Sequence, residues 1–168
     1  MEAGYVLSSL LPKSEDNTYK YNLERRTFTI PGEPGAKGRP RLSVDKYRGY
    51  PKIHTPDKTI NYENLVILEY DKAYHEAELY APKVMLELSI DAYYTIPESI
   101  SKKKKEAMAA GLIRPTKKPD IDNVLKIIAD ALNKVAYHDD SQIVSVCVNK
   151  YYSEKPRVEV ALSKISTD

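Results

Sequence analysis

Apolar and polar positions alternate most clearly from Val84 to Ala92, where Val84, Leu86, Leu88, Ile90 and Ala92 are set between Glu87, Ser89 and Asp91. A period of two predicts a strand with one face in a core. Thr27 to Ile30 is a shorter strand signal, stopped by the turn formers Pro31-Gly32 and Pro34-Gly35. The basic segment from Ala36 to Tyr50 reads as a loop or irregular hairpin. From Lys58 to Tyr80, Ile60, Leu65, Leu68, Ala73 and Leu79 recur at helical spacing. Thr55 or Asp57 is placed to cap that helix, and Ala81-Pro82 to end it. A second helix opens at Pro97-Glu98-Ser99, with Ser99 as N-cap and Gly111 as the stop. A third runs from Ile121 or Asn123 to Lys134, with Val124, Leu125, Ile128, Leu132 and Val135 as its apolar stripe. Ile143 to Tyr152 predicts a strand with Val144, Val146 and Val148 on one face and Cys147 on the other. Arg157 to Leu162 predicts the last strand. This order predicts an α+β domain, with a mixed, mainly antiparallel sheet packed against helices. Residues 1 to 24 show no period, so an N-terminal extension (1–26) is expected before a single domain (27–168).

The 168 residues, 42% of them hydrophobic, fit one globular domain. No apolar run approaches the roughly 20 residues of a membrane span, and no secretory signal is recognised at the N-terminus. Cys147 is the only cysteine, which excludes an intrachain disulfide and fits a reducing cytoplasm. The net charge of +2 averages over strong local bias, because Lys37 to Arg41 and Lys102 to Lys118 are basic while the acids are spread or clustered near the Asp pair. A basic surface around an acidic pocket suits a nucleic-acid enzyme. Most of the 14 tyrosines are expected at core edges and in strands rather than as base-stacking platforms.

The most informative acids are those of Lys118-Pro119-Asp120-Ile121-Asp122-Asn123-Val124-Leu125-Lys126 and of Asp139-Asp140-Ser141-Gln142-Ile143, around one predicted helix. Converging carboxylates repel unless a cation sits between them. Mg2+ suits the task, because it takes oxygen ligands and leaves positions for water and phosphate. An extended approach to the helix would point Asp120 and Asp122 to one side. Lys126 is one turn beyond Asp122, where it can act as a point charge beside a scissile phosphate. Asp130 continues along that face. Asp139 or Asp140 returns to the first pair only if the following strand starts near the helix N-terminus. A plainer account makes the Asp pair a helix cap worth about 0.3–2 kcal/mol, with Asp122 and Lys126 an ordinary ion pair. It leaves the second Asp pair unexplained. His138 reads as a turn residue. Lys37, Arg39 and Arg41 alternate with Gly38 and Pro40, so an extended chain presents three cations to a phosphate backbone; Lys117 and Lys118 join them from the second basic run.

Three blocks in order, Pro119 to Lys126, Asp130-Ala131-Leu132 and Asp139 to Ile143, resemble the signature of the RusA-type Holliday-junction resolvases, small metal-dependent endodeoxyribonucleases common in prophages. Upstream, Ile30 to Pro34 with Lys37-Gly38-Arg39-Pro40-Arg41 looks like the family's N-terminal element, and Thr59 to Glu63 resembles the start of its long helix. The resemblance covers about residues 27 to 163. It implies Asp120, Asp122 and Asp140 as Mg2+ ligands, with Asp139 as a further candidate, Mn2+ as a substitute ion, and Lys126 as a catalytic residue. It also implies a homodimer, since two symmetric cuts in a four-way junction suit two sites related by a two-fold axis. The expected activity is a Mg2+-dependent endodeoxyribonuclease that resolves Holliday junctions by paired nicks in DNA recombination and repair. The rival readings are a non-catalytic branched-DNA binding module of the same fold and a phosphohydrolase acting on small nucleotides.

Overall fold

The computed structural model describes residues 21–39, 41–44 and 51–165. Its elements are β1 (Tyr21–Pro31), β2 (Arg41–Val44), β3 (Pro51–His54), α1 (Asp57–Tyr74), β4 (Met85–Thr95), α2 (Lys102–Ala109), α3 (Ile121–Leu132), a 3-10 turn (Asp140–Gln142), β5 (Ile143–Ser153) and β6 (Arg157–Ile165). A four-stranded sheet has the order β1-β6-β4-β5. β6 is antiparallel to both β1 and β4, while β4 and β5 are parallel. The fold is therefore α+β with a mixed sheet. The parallel pair requires a crossover, and α3 lies in it.

The alternation in β4 becomes burial: Leu86, Leu88, Ile90, Ala92 and Tyr94 are inside, and the residues between them are half-exposed. Phe28 and Ile30 of β1 and Val158, Val160 and Leu162 of β6 join them in one core. α1 closes this core with Val66 and Tyr70, and α3 with Val124, Ile127, Ile128, Ala131 and Leu132. Ile127 and Ala131 widen the stripe predicted for α3.

Several boundaries differ from those the pattern predicts. β1 begins at Tyr21, well before the predicted Thr27, and carries the charged Arg26 facing inward. Its guanidinium lies 4.1 Å from the centre of the Tyr80 ring and donates to the Tyr70 hydroxyl at 2.7 Å. An aromatic face and a neutral acceptor make burial of that cation tolerable. α1 stops at Tyr74, six residues early, because Tyr80 is itself a core residue and bridges to Tyr137. α2 starts at Lys102, with Ser101 rather than Ser99 at its N-cap. Part of the basic segment forms a hairpin in which Arg41 of β2 faces His54 of β3. Most of the expected N-terminal extension lies outside the described residues.

Candidate active site

Asp120 is the N-cap residue of α3 and Asp122 lies in its first turn. The Asp120 backbone is extended (φ −73°, ψ 156°), as a cap residue should be, yet its side chain makes no capping hydrogen bond. Both carboxylates are exposed, and among the described residues neither takes part in a hydrogen bond or ion pair. The Asp122–Lys126 pair does not form; the Lys126 side chain is 64% exposed and its ammonium lies 3.9 Å from Asp130. Neither capping nor local ion pairing therefore accounts for two acids at this position.

The segment leading into α3 is held from below by the sheet. The Tyr94 hydroxyl donates to the Pro119 carbonyl at 3.1 Å, and the Lys150 ammonium donates to the same carbonyl at 2.9 Å and to that of Lys117. Burial lowers the pKa of Lys150 below the ordinary lysine value; attraction to Asp120 opposes this and repulsion from Lys117 adds to it. Burial also pushes the Tyr94 phenol far up, with negative charge on Glu33 and Asp120 adding to the effect, so it remains a neutral donor.

A loop from Gly32 to Arg39 brings basic residues to the same end of α3. Glu33 accepts from the Thr95 amide at 3.0 Å. Gly35 lies flat on the Tyr62 ring, where a Cβ would come within 2.4 Å of the ring carbon, so a side chain cannot be placed there. The Lys37 amide donates to the Asn123 carbonyl at 3.3 Å, and the Gly38 amide to the Thr59 hydroxyl at 3.0 Å. The Lys37 ammonium is enclosed between Glu63 of α1 and Asp130 of α3. Burial works against its charge, and the hydrogen bonds to Asp130 and Glu63 outweigh that effect, raising its pKa. Arg39, next along, is exposed.

The second Asp pair is elsewhere. Asp139 caps the 3-10 turn: it accepts from the Ser141 amide at 3.0 Å, and its pKa is lowered chiefly by hydrogen bonding to Ser141. Buried Gln142 completes the capping box. Its carbonyl accepts from the His138 and Asp139 amides, and its amide donates to the carbonyls of Ala81 and Val84. These contacts pin the Asp139–Gln142 turn at the start of β4, whereas Pro119 and Asp120 stand at its end. Exposed Asp140 is therefore separated from Asp122 by the length of α3. Among the described residues, no group of three or more acidic, histidine or cysteine side chains is placed to hold a metal ion. β5 starts at the C-terminal end of α3, so the return of Asp140 beside Asp120 and Asp122 does not occur within one chain.

The family described as Endodeoxyribonuclease RusA matches residues 31–163. The chain belongs to the RusA endodeoxyribonuclease family. It is 42% identical over 141 residues to the uncharacterized protein YqaN of Bacillus subtilis (strain 168), covering 83% of this chain and 96% of that one. It is 29% identical over 147 residues to the crossover junction endodeoxyribonuclease rusA of Lactococcus phage r1t, covering 87% and 99%.

In this RusA-family chain, the start of α3 carries Asp120 and Asp122 with Lys117 and Lys118 just before them, all exposed, and Lys126 one turn along; exposed Arg39 follows the Lys37–Gly38 backbone that is tied to Asn123 and Thr59. Lys37 is placed there too, but as an internal strut between two carboxylates rather than as a free cation. The side chain of Arg41 lies outside the described residues. Sequence reasoning missed Lys150 and Tyr94, which carry the loop before α3, and Glu63, which holds Lys37. Lys150 had one available signal, since it is a charged residue at an inward-facing position of a strand. The role of Gln142 had none, because its partners Ala81 and Val84 are distant in sequence.

Proposed function

We propose that this chain is a Mg2+-dependent endodeoxyribonuclease that resolves four-way DNA junctions by symmetric nicks in two opposed strands, as a homodimer, in recombination and repair. Mn2+ is the expected substitute ion. The carrying observation is a pair of carboxylates at the start of α3 that no cap or ion pair uses, in a setting of exposed cations. Such a pair fits a hard divalent cation, which takes one or two carboxylates and fills its remaining positions with water and phosphate oxygens. When bound, that cation would stabilise charge on the phosphate and make a water more acidic. Lys126 projects from the same helix and can donate to a phosphate or leaving oxygen. Arg39, Lys117 and Lys118 position the DNA backbone. Tyr94 and Lys150 hold the Lys117–Pro119 carbonyls, and so fix where Asp120 stands.

Asp140 enters this site from the other protomer in our reading. Within one chain it stands at the far end of α3, and a two-fold axis perpendicular to α3 would bring the far end of one α3 beside the near end of another. Two mixed sites then form together, matching a substrate that needs two cuts.

The test is cleavage of a labelled synthetic four-way junction with Mg2+, beside a linear duplex and an Asp122→Asn control. Paired nicks in the junction alone, lost in Asp122→Asn with binding retained, support the proposal. Tight binding with no cut under Mg2+ or Mn2+ would leave a non-catalytic junction-binding module. A metal readout independent of turnover is thermal: Mg2+ should raise the Tm of the wild type more than that of Asp122→Asn.

A further inference from the structure

We infer that helix α2 is a second DNA-binding surface of this chain, on which Lys103 and Lys104 hold the sugar–phosphate backbone of a duplex arm away from the cleavage site. The choice of DNA as the anion rests on the nuclease reading above; the cationic surface itself does not.

Residues 102 to 118 carry six lysines and Arg114 against a single acid, Glu106. Four of the lysines fill the first four positions of α2 (Lys102–Ala109). Helix stability does not account for them. The first turn of α2 has no acid and no side-chain cap, so the four charges stand at the positive end of the helix dipole, where cations are unfavourable. Core packing does not account for them either, because α2 buries none of its residues. Among the described residues, none of the four ammonium groups takes part in a hydrogen bond or ion pair.

The lysines are carried on a fastened arm rather than a loose tail. At its entry, the Ile96 amide donates to the Ser153 carbonyl at 3.2 Å, joining the ends of the parallel strands β4 and β5. At its exit, Gly111 (φ +73°) stops α2, and the Leu112 amide donates back to the Ala107 carbonyl at 2.9 Å. The Arg114 guanidinium then lies 3.9 Å from the centre of the Tyr151 ring of β5 and donates to the Gly111 and Lys150 carbonyls, each at 3.2 Å. α2 is thereby held at the C-terminal ends of β4 and β5, where Tyr94 and Lys150 also hold Pro119, next to Asp120. A DNA arm that leaves Asp120 across this end of the sheet meets α2.

Position on the helix divides the four lysines into two pairs. Lys102 and Lys105 are three residues apart and so share a face. Both line a groove with Thr95, Glu98, Glu106 and Glu154, whose three carboxylates offset their charge. Lys103 and Lys104 are exposed and do not line that groove. They are the pair left to meet an external anion. A lysine is a point charge on a flexible stem, suited to a phosphate without reading a base. α2 therefore adds affinity for the DNA backbone and no preference for sequence.

The test reads binding rather than turnover. The full-length chain, with Mg2+ omitted, is titrated with a labelled four-way junction and with a linear duplex across salt concentrations. Lys103→Gln combined with Lys104→Gln should lower the salt slope by about two units, since each lost phosphate contact removes roughly 0.9. Affinity for the two DNAs should fall by the same factor. Lys103→Arg combined with Lys104→Arg should keep the wild-type slope and affinity, which ties the loss to charge rather than to folding. Lys102→Gln combined with Lys105→Gln removes the same net charge and should lower the slope by less than about one unit. A wild-type slope in the Lys103→Gln, Lys104→Gln protein, or an equal loss from the groove-side pair, overturns the inference; an unchanged slope would leave α2 to an acidic protein surface. A wild type that binds neither DNA sinks the nuclease reading and the inference together, whereas an unchanged slope in a protein that still binds and cuts junctions sinks the role of α2 alone. Binding that depends on Lys103 and Lys104, in a protein that makes no cut under Mg2+, leaves this surface standing without the nuclease.

Discussion

If Asp140 serves the site of its partner, two inactive variants should restore each other. Asp122→Asn removes the acid at the start of α3, and Asp140→Asn removes the one beyond its end. α3 has 12 residues, which span about 18 Å at 1.5 Å per residue. The sheet gives a similar figure: the Asp139–Gln142 turn is tied to the start of β4 and Pro119 to Tyr94, and Leu86 to Tyr94 covers roughly 26 Å at about 3.3 Å per residue. Oxygens bound to one Mg2+ lie within about 4 Å of each other, so no adjustment of one chain brings these acids to a common ion. In a heterodimer of the two variants, one mixed site takes Asp122 from the Asp140→Asn chain and Asp140 from the Asp122→Asn chain, and is intact. The other site carries both substitutions. Co-expressing the variants with different tags and purifying through both isolates this heterodimer. It should nick a single strand of a junction at about half the wild-type rate per dimer, without paired resolution, since one of two equivalent sites survives. Each variant alone should be inactive. Sites built within single chains give the opposite result, because each protomer of the heterodimer would then lack one acid. A heterodimer as inactive as its parents, with the dimer confirmed, refutes the reasoning.

Gln142→Ala should lower stability by about 2–4 kcal/mol, because the His138 and Asp139 amides and the Ala81 and Val84 carbonyls lose a buried partner together; urea unfolding reads the loss, and a change below 0.5 kcal/mol contradicts the pinning role. Asp139 has a folded pKa below its ordinary value of 3.8, so its contribution is present above that value and fades as pH falls through the folded pKa. The stability gap between wild type and Asp139→Ala should accordingly be full at neutral pH and close in strong acid, and a pH-independent gap would rule out the capping charge as its cause. Arg39→Ala should weaken junction binding and reduce the salt slope by roughly one unit, measured by titration across salt concentrations; an unchanged slope removes Arg39 from the DNA contact.

The parts of this protein legible in its sequence are those decided by near neighbours. The period-two run in β4, the apolar stripe of α3 and the turn formers after Ile30 all follow from local pattern, because burial of one face imposes its spacing on the residues that line it. The acidic blocks were equally legible, since chemistry that needs several carboxylates leaves them visible in the chain. Sequence could not place them relative to one another. The separation of Asp122 and Asp140 depends on where β5 begins, and that is fixed by Gln142 reaching residues 58 and 61 positions away. Lys37 looked like a free cation because Glu63 and Asp130, which enclose it, come from two helices that meet only in the folded core. Arg26 hid the first half of β1 because a charge breaks an apolar alternation, while Tyr70 and Tyr80 make its burial tolerable only once α1 has packed. Local pattern thus determined the elements and the kind of chemistry. Tertiary structure decided which acids share an end of α3 and which cations are left free, because both depend on contacts between residues far apart in the chain.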